Sequence, residues 1–308
     1  MQTTDTVFMV RPGSFSLNNE TASSNAFQHA DVRLNPEMLH QQATLAFERY
    51  VSALRAANIE VHVFDDRPGN NTPDSLFPNN WVTLQHDGSL TLFPMEAHNR
   101  RRERDPAIIA ALMQRFRLQP ALDLSGWEQR GEYLEGTGSL VCDHQQRIAY
   151  VCRSSRSSGH VLQEWQQNTG YKVIDFTAKD AQGRAIYHTN VMMSIGIRYA
   201  VVCMDAVVEA TERELLIASL RASGKIIIEI THAQMQAFCG NILELRGNDG
   251  RPVIAMSEQA WEAFTHTQQQ ILGGYARIVQ APIAIIEQHG GGGARCMLAE
   301  IFAPKLTG

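Results

Sequence analysis

The stretch Gly290-Gly291-Gly292-Gly293-Ala294-Arg295-Cys296 decides how this 308-residue chain is read. Four consecutive glycines free the backbone to adopt positive φ and let a ligand approach closely. An ordered apolar segment follows, Met297-Leu298-Ala299-Glu300-Ile301-Phe302. A cysteine where such a turn meets an ordered element lies within reach of backbone N–H groups, and Arg295 adds positive charge beside it. Both effects lower a thiol pKa and favour a nucleophile. The alternative is a flexible turn holding a small buried thiol. A phosphate-binding loop is excluded, because no Gly-Lys-Ser/Thr follows the glycines.

A nucleophilic thiol needs a proton-transfer partner. Of eleven histidines, His29, His40, His86, His98 and His144 lie in polar or helical contexts and read as surface. His188, in Tyr187-His188-Thr189-Asn190, stands directly before the apolar run Val191–Ile195. It reads either as a site residue at a strand mouth or as a strand-end histidine satisfied by a carbonyl. Glu135 is flanked by Leu134 and by Gly136-Thr137-Gly138. A buried carboxylate raises its own pKa and can then exchange protons near neutrality. The other reading is a turn cap. These glycines are no dinucleotide fingerprint, since Val141 stands where glycine is required.

Phe77-Pro78-Asn79-Asn80-Trp81 ends the segment Asp66–Phe77, whose prolines, glycine and asparagines predict a long exposed loop able to close over a ligand. The two asparagines either close a turn or face that ligand. Arg100-Arg101-Arg102 before Glu103 reads as a solvated helix start. Arg156, just past the expected strand Ile148–Cys152, suits a bidentate pair with a carboxylate.

Composition narrows the class. The chain is 44% hydrophobic and 19% charged, as soluble globular proteins are. A net charge of −5 offers no basic face, so no nucleic-acid partner is expected. The five cysteines, Cys142, Cys152, Cys203, Cys239 and Cys296, match neither a zinc knuckle nor a redox pair, and a reducing compartment is the plain reading. No His/Cys/carboxylate spacing fits a metal. No signal peptide is expected from the N-terminal stretch, and the longest apolar runs are too short to cross a bilayer. A cytoplasmic protein with no membrane partner is expected.

Short apolar runs predict strands at Thr6–Val10, Ile59–Phe64, Trp81–Leu84, Leu90–Phe93, Ile148–Cys152, Lys172–Phe176, Val191–Ile195, Tyr199–Met204, Lys225–Ile230, Ile242–Leu245, Val253–Met256 and Ile283–Ile286. Helix signals lie between them: Asn35-Pro36 before a stripe of Leu39, Ala43, Ala46, Tyr50 and Leu54, capping boxes at Thr211 and Thr231, and a cap at Ser257. Strand pairs with an intervening helix recur about every 60 residues, which suggests repeated small α/β units. No Pro/Gly/Ser linker divides residues 1–308, so one domain is expected.

Together these segments resemble the guanidino-group-modifying superfamily of arginine deiminases, dimethylarginine hydrolases and amidinotransferases. Leu76–Val82 is similar to the approach to its first substrate-binding strand, and Met95–Glu103 to its Met…Arg-x-Arg-Glu stretch. Glu135-Gly-Thr-Gly resembles its Glu-Gly-Gly-Asp signature, Ser155-Arg156-Ser157 its Arg-Thr turn, and His188-Thr-Asn190 its His-x-Asp. Gly293-Ala-Arg-Cys296 matches its C-terminal nucleophile. Six such matches in order cover nearly the whole chain. The Phe77–Trp81 segment is most similar to the citrulline-utilisation hydrolase (citrulline ureidase) branch.

The resemblance implies a five-bladed α/β propeller of ββαβ units, the pentein fold, with the site on its axis. It implies Cys296 as nucleophile, His188 as general acid/base and Glu135 as the orienting acid, with no metal and no cofactor. Arg100 and Arg156 would hold a substrate α-carboxylate, and Phe77, Asn80 and Asn190 would complete the substrate site. The aspartates that grip guanidinium in arginine deiminases fall on Asn80 and Asn190. An amide offers both a donor and an acceptor and so suits a neutral ureido group better than a cation. The expected activity is hydrolysis of L-citrulline to ornithine, ammonia and carbon dioxide. The alternatives are an arginine deiminase or dimethylarginine hydrolase and, from another class, a non-catalytic binding propeller. The expected partner is a small amino-acid substrate, and a homodimer is allowed.

Overall fold

The computed structural model describes residues 1–22, 24–25, 27–28, 35–67 and 69–306. The strands are β1 (Thr6–Arg11), β2 (Glu60–Asp65), β3 (Val82–Leu84), β4 (Leu90–Leu92), β5 (Leu122–Asp123), β6 (Val141–Asp143), β7 (Ile148–Cys152), β8 (Lys172–Phe176), β9 (Met193–Ile195), β10 (Tyr199–Val202), β11 (Ile226–Glu229), β12 (Leu243–Arg246), β13 (Pro252–Ser257), β14 (Arg277–Ala281) and β15 (Ala299–Glu300). They form five three-stranded sheets, ordered β3-β4-β5, β6-β7-β8, β9-β10-β11, β12-β13-β14 and β15-β1-β2.

Every sheet pairs its first two strands antiparallel and its last two parallel. A parallel neighbour needs a crossover, and a helical segment supplies it each time. These are Pro36–Ala56, Pro106–Arg115, Gly159–Thr169, Ala210–Ala222 and the pair Glu258–Ala263 and His266–Tyr275. The repeat is therefore ββαβ, and five repeats make the five-bladed α/β propeller. The first strands of the blades meet around the axis: β15 lies by β3, β6 by β9, and β9 by β12. The last blade takes β15 from the C-terminal end and β1 and β2 from the N-terminal end.

The local signals mostly act as expected. The Asn35 side chain accepts from the Met38 N–H, and Leu39, Ala43, Phe47, Tyr50 and Leu54 bury one face of the helix Pro36–Ala56. Thr231 makes a complete capping box, and Ser257 caps the helix after it.

Five expectations are corrected. Ile283–Ile286 is no strand but the start of a helix, Ala284–Gly290. Ile283 and Ile286 are buried while Ala284 is exposed, a helical spacing that so short an apolar run conceals. The neighbouring strand is β14 instead. Thr211 caps nothing, because its helix already starts at Ala210. Glu212, the next residue, instead accepts from the Thr177 N–H and pairs with Arg153. The segment Asp66–Phe77 is not a long exposed loop: Thr72 to Phe77 are all buried. Of the strand expected at Val191–Ile195, only Met193–Ile195 pairs; a 3-10 turn, Thr189–Val191, precedes it. Among the surface histidines expected, His144 is half-buried against Tyr171, and His29 lies outside the described residues.

Candidate active site

Each blade carries a turn directly before its first strand. Pro78–Asn80 precedes β3, Gly136–Ser139 precedes β6, Thr189–Val191 precedes β9, and Ala294–Met297 precedes β15. The chain before β12 ends its turn at Asn241, whose N–H donates to the Phe238 carbonyl. These turns set Asn80, Glu135, Asn190, Asn241 and Cys296 around the axis, at intervals of 55, 55, 51 and 55 residues. Short turns fix backbone direction, so one equivalent position per blade aims inward each time.

Cys296 is buried, and its N–H donates to the Gly293 carbonyl at 3.1 Å. Two amides donate to its sulfur: Asn241 Nδ2 at 3.2 Å and Asn190 Nδ2 at 3.4 Å. Burial pushes the thiol above its ordinary value, and these amides with Arg295 offset only part of that. The lowered thiol pKa expected from the glycine turn is therefore not found. Arg295 adds field but no contact, since its guanidinium is held by Glu300 at 2.8 Å and by the Leu298 carbonyl at 3.0 Å.

His188 Nε2 and Glu135 Oε2 lie 2.8 Å apart. Arg156 Nη1 reaches the same oxygen at 3.3 Å, and the Glu96 N–H donates to the other at 3.0 Å. Burial alone would raise the Glu135 carboxyl, but Arg156, His188 and Arg100 hold it well below the usual carboxylate range. This corrects the expectation of a raised acid: Glu135 stays ionised at neutral pH. Burial takes His188 the other way, down to about 4 against the pull of Glu135. The imidazole is thus neutral at rest and free to accept a proton. With Nε2 facing the carboxylate, Nδ1 is the nitrogen left for chemistry.

Asn80 Oδ1 accepts from Arg100 Nη1 at 2.8 Å, which orients the amide. Its Nδ2 is buried and has no partner among the described residues. Gly138 is required here, because a Cβ would lie 2.4 Å from Asn80 Nδ2 and 2.7 Å from His188 Cε1. Gly291 adopts φ +65°, which only glycine takes readily, and Gly292 leaves room for the Phe77 ring, 2.8 Å from where its Cβ would stand.

Phe77, Asn80, Arg100, Arg156, His188 and Cys296 line one narrow pocket, as expected. Arg100 differs from its expected role. Its fork is closed on Glu103 at 2.9 and 3.0 Å, with the Phe77 carbonyl at 3.2 Å, so it positions Asn80 and Phe77. Arg101 and Arg102 bind backbone carbonyls elsewhere. Asn190 does not line this pocket either; it backs the sulfur and faces a small axial cavity of about 30 Å³. A roomier cleft of about 360 Å³, lined by His86, Asp87, Arg147 and Tyr171, contains none of these residues.

Two residues were not anticipated. Asp74 lines the pocket, accepts from Asn18 at 2.6 Å and leaves Oδ1 without a partner. Its surroundings in sequence are polar, so nothing marked it as buried. Asn241 stands at the same place in its blade as Asn80 and Asn190. The 55-residue step from Asn80 to Glu135 to Asn190, taken back from Cys296, would have found it.

The fold and this arrangement define a hydrolase of the guanidino-group-modifying superfamily, acting on C–N bonds other than peptide bonds. Residues 11–303 match the family model described as N,N dimethylarginine dimethylhydrolase, eukaryotic, and the chain belongs to that family. No curated protein matches it by sequence. Among solved structures it is similar to the N-terminal domain of ArgZ, an arginine dihydrolase from the ornithine-ammonia cycle in Cyanobacteria, bound to substrate. The identity is 14%, the TM-score 0.74, and the match covers 98% of this chain and 99% of that one. AgrE in complex with L-arginine matches at 14% identity and TM-score 0.75, over 97% of this chain and 40% of AgrE. DDAH from Pseudomonas aeruginosa complexed with citrulline matches at 14% identity and TM-score 0.66, over 97% and 99%. No helix of the described residues is long and apolar enough to cross a membrane.

Proposed function

We propose that residues 1–308 act as one amidinotransferase-like catalytic domain that hydrolyses the ureido group of L-citrulline or a close relative to ornithine, ammonia and carbon dioxide. The observation that carries this is Asn80. Arg100 holds its oxygen, which leaves a buried N–H₂ without a partner on a residue that lines the pocket with Cys296 and His188. A ureido carbonyl accepts from that donor. A guanidinium has donors only, and setting donor against donor leaves both unpaired at roughly 1–3 kcal/mol. Asp74 Oδ1 would take the α-ammonium of an amino acid, and Arg156, whose Nε, Nη1 and Nη2 donate to Glu96, Glu135 and Ser24, would exchange its Glu96 and Ser24 contacts for the α-carboxylate.

Cys296 attacks the ureido carbon as its proton passes to His188. The C–S bond forms while the carbonyl π pair moves to oxygen, facing Asn80 Nδ2. Collapse breaks the C–N bond, and His188 returns the proton to the departing nitrogen. His188 then takes a proton from water, which attacks the thioester carbon and releases the sulfur. The resulting carbamate loses carbon dioxide. Glu135, ionised throughout, stabilises the imidazolium. No step requires a metal or a cofactor.

The matched family and the arginine-bound relatives favour a second reading, a guanidino substrate. Product analysis separates the two. Ornithine and ammonia from citrulline, with none from arginine or dimethylarginine and none with Cys296→Ala, establish the ureido reaction. Citrulline or ornithine formed from arginine, or citrulline from dimethylarginine, overturns it and keeps the thiol chemistry.

A further inference from the structure

We propose that Asn241 is a catalytic residue that stabilises the Cys296 thiolate as its proton leaves for His188 and it attacks an uncharged carbon, a task that a cationic substrate would otherwise share. The proposal rests on the ureido reading for its substrate and on the geometry alone for the ionisation.

Every polar atom of Asn241 is engaged. Its Oδ1 accepts from the Arg295 N–H at 3.1 Å and from the Cys296 N–H at 3.4 Å, which fixes the amide orientation. Nδ2 must then face the other way, where it donates to Cys296 Sγ at 3.2 Å and to the Asn190 carbonyl at 2.8 Å. The same side chain therefore ties down the turn that carries the nucleophile and donates to its sulfur. Gly293 makes room for it, since a Cβ there would stand 2.8 Å from Asn241 Oδ1.

The other groups around the sulfur are committed elsewhere. Arg295 is paired with Glu300, and His188 gives its Nε2–H to Glu135, which leaves Nδ1 as an acceptor and not a donor. The Tyr50 hydroxyl donates to the Ala294 carbonyl, and the Tyr187 hydroxyl to the Gly291 carbonyl. Burial raises both phenols, so neither adds negative charge at neutral pH. That leaves the amides of Asn241 and Asn190 as direct donors to Sγ among the described residues.

A guanidinium brings a positive charge to within a few ångströms of the sulfur, in a site where water no longer screens it. That charge favours the thiolate at the moment of attack. A ureido group brings none. Hydrogen bonds to the ionised form do the same work, and amide donors to a charged acceptor are the stronger kind.

The test is alkylation of Cys296 by iodoacetamide across roughly pH 7–10 with no substrate present, corrected for the other thiols with Cys296→Ala. Asn241→Asp keeps the acceptor and deletes the donor; Asn241→Ala deletes both. In each, ionisation moves up by about one pH unit, so alkylation at a given pH slows about tenfold. Citrulline kcat falls similarly at neutral pH and recovers as pH rises, with KM little changed. An alkylation profile that overlays the parent's, in a variant that melts as the parent does, overturns the proposal. Should neither variant fold, the Asn241 side-chain amide signal of the parent decides. Movement of that signal with Cys296 ionisation supports the contact, and a flat titration overturns it. Alkylation needs no substrate, so failure to hydrolyse citrulline would remove the ureido reading and leave the ionisation result intact.

Discussion

Asn80 is the residue on which substrate choice turns, because Arg100 leaves it no freedom to flip. Asn80→Asp presents a carboxylate where the N–H₂ stood. For a ureido substrate, acceptor then faces acceptor, and kcat/KM for citrulline is expected to fall about a hundredfold or more. Steady-state kinetics on citrulline and arginine check this; unchanged citrulline turnover would remove Asn80 from the site. Arg100 itself answers to stability. It and Glu103 are both buried, and their paired contacts leave no solvent to take over. Arg100→Met strands the Glu103 carboxylate and should cost about 3–5 kcal/mol in a urea titration, while Arg100→Met with Glu103→Met recovers much of the loss. An additive loss in the double variant would contradict the pairing.

At the scale of the element, the turn before each first strand is the unit that builds the site. Three such turns carry asparagine, one glutamate and one cysteine, and the chemistry comes from their differences. The helix Ala284–Gly290 leads directly into the Gly290–Gly293 run and carries Glu287, buried beside Ser257. Burial pushes this carboxyl up to about 7. Its pKa is higher folded than unfolded, so the folded chain binds the extra proton. Stability is therefore lost as pH rises from about 4.5 through 7, then stays at the lower level. Glu287→Gln should abolish that loss and gain about 3 kcal/mol at pH 8 relative to the parent, with little gain at pH 4.5. Thermal melts of both proteins across this range check it, and parallel curves would show that Glu287 does not titrate there.

For the whole molecule, closure is the central fact. The fifth blade joins β15 to β1 and β2, with Val7 opposite Glu300 and Phe8 opposite Ala299. Thr4 Oγ1 also donates to the Ile301 carbonyl at 2.5 Å. Phe8, Ala299 and Ile301 share one apolar cluster with Trp81 and Leu84 of the next blade. Removing the chain after Leu298 leaves Cys296 in place but opens the ring and exposes the edge of β1. Such a truncation is expected to lose the cooperative thermal transition and all turnover. A truncated protein that melts like the parent would show that closure adds little. The same cyclic arrangement explains why residues 80 and 296 can share a pocket without a long connecting loop.

What the sequence determined was set by short-range physics. Helix caps at Asn35, Thr231 and Ser257, alternating apolar runs, and the glycine turn at Cys296 act over a few residues, and a reader needs no partner to see them. The ordered motifs placed Cys296, His188, Glu135 and Asn80 together before any coordinate. What the tertiary structure decided depended on residues far away in sequence. Glu135 is ionised rather than raised, because Arg156 of its own blade and His188 of the next reach it. Thr72 to Phe77 are buried although their composition is that of a loop, because Asp74 meets Asn18 and Leu76 and Phe77 join an apolar cluster built from distant residues. Ile283–Ile286 became a helix because the helix Pro36–Ala56 lies against it. Arg100 was turned from ligand to support by Glu103, and Asn241 was brought to the sulfur by an uncharged turn, Phe238-Cys239-Gly240-Asn241. Burial and long-range charge set ionisation and orientation, and neither is a property of a residue's neighbours along the chain.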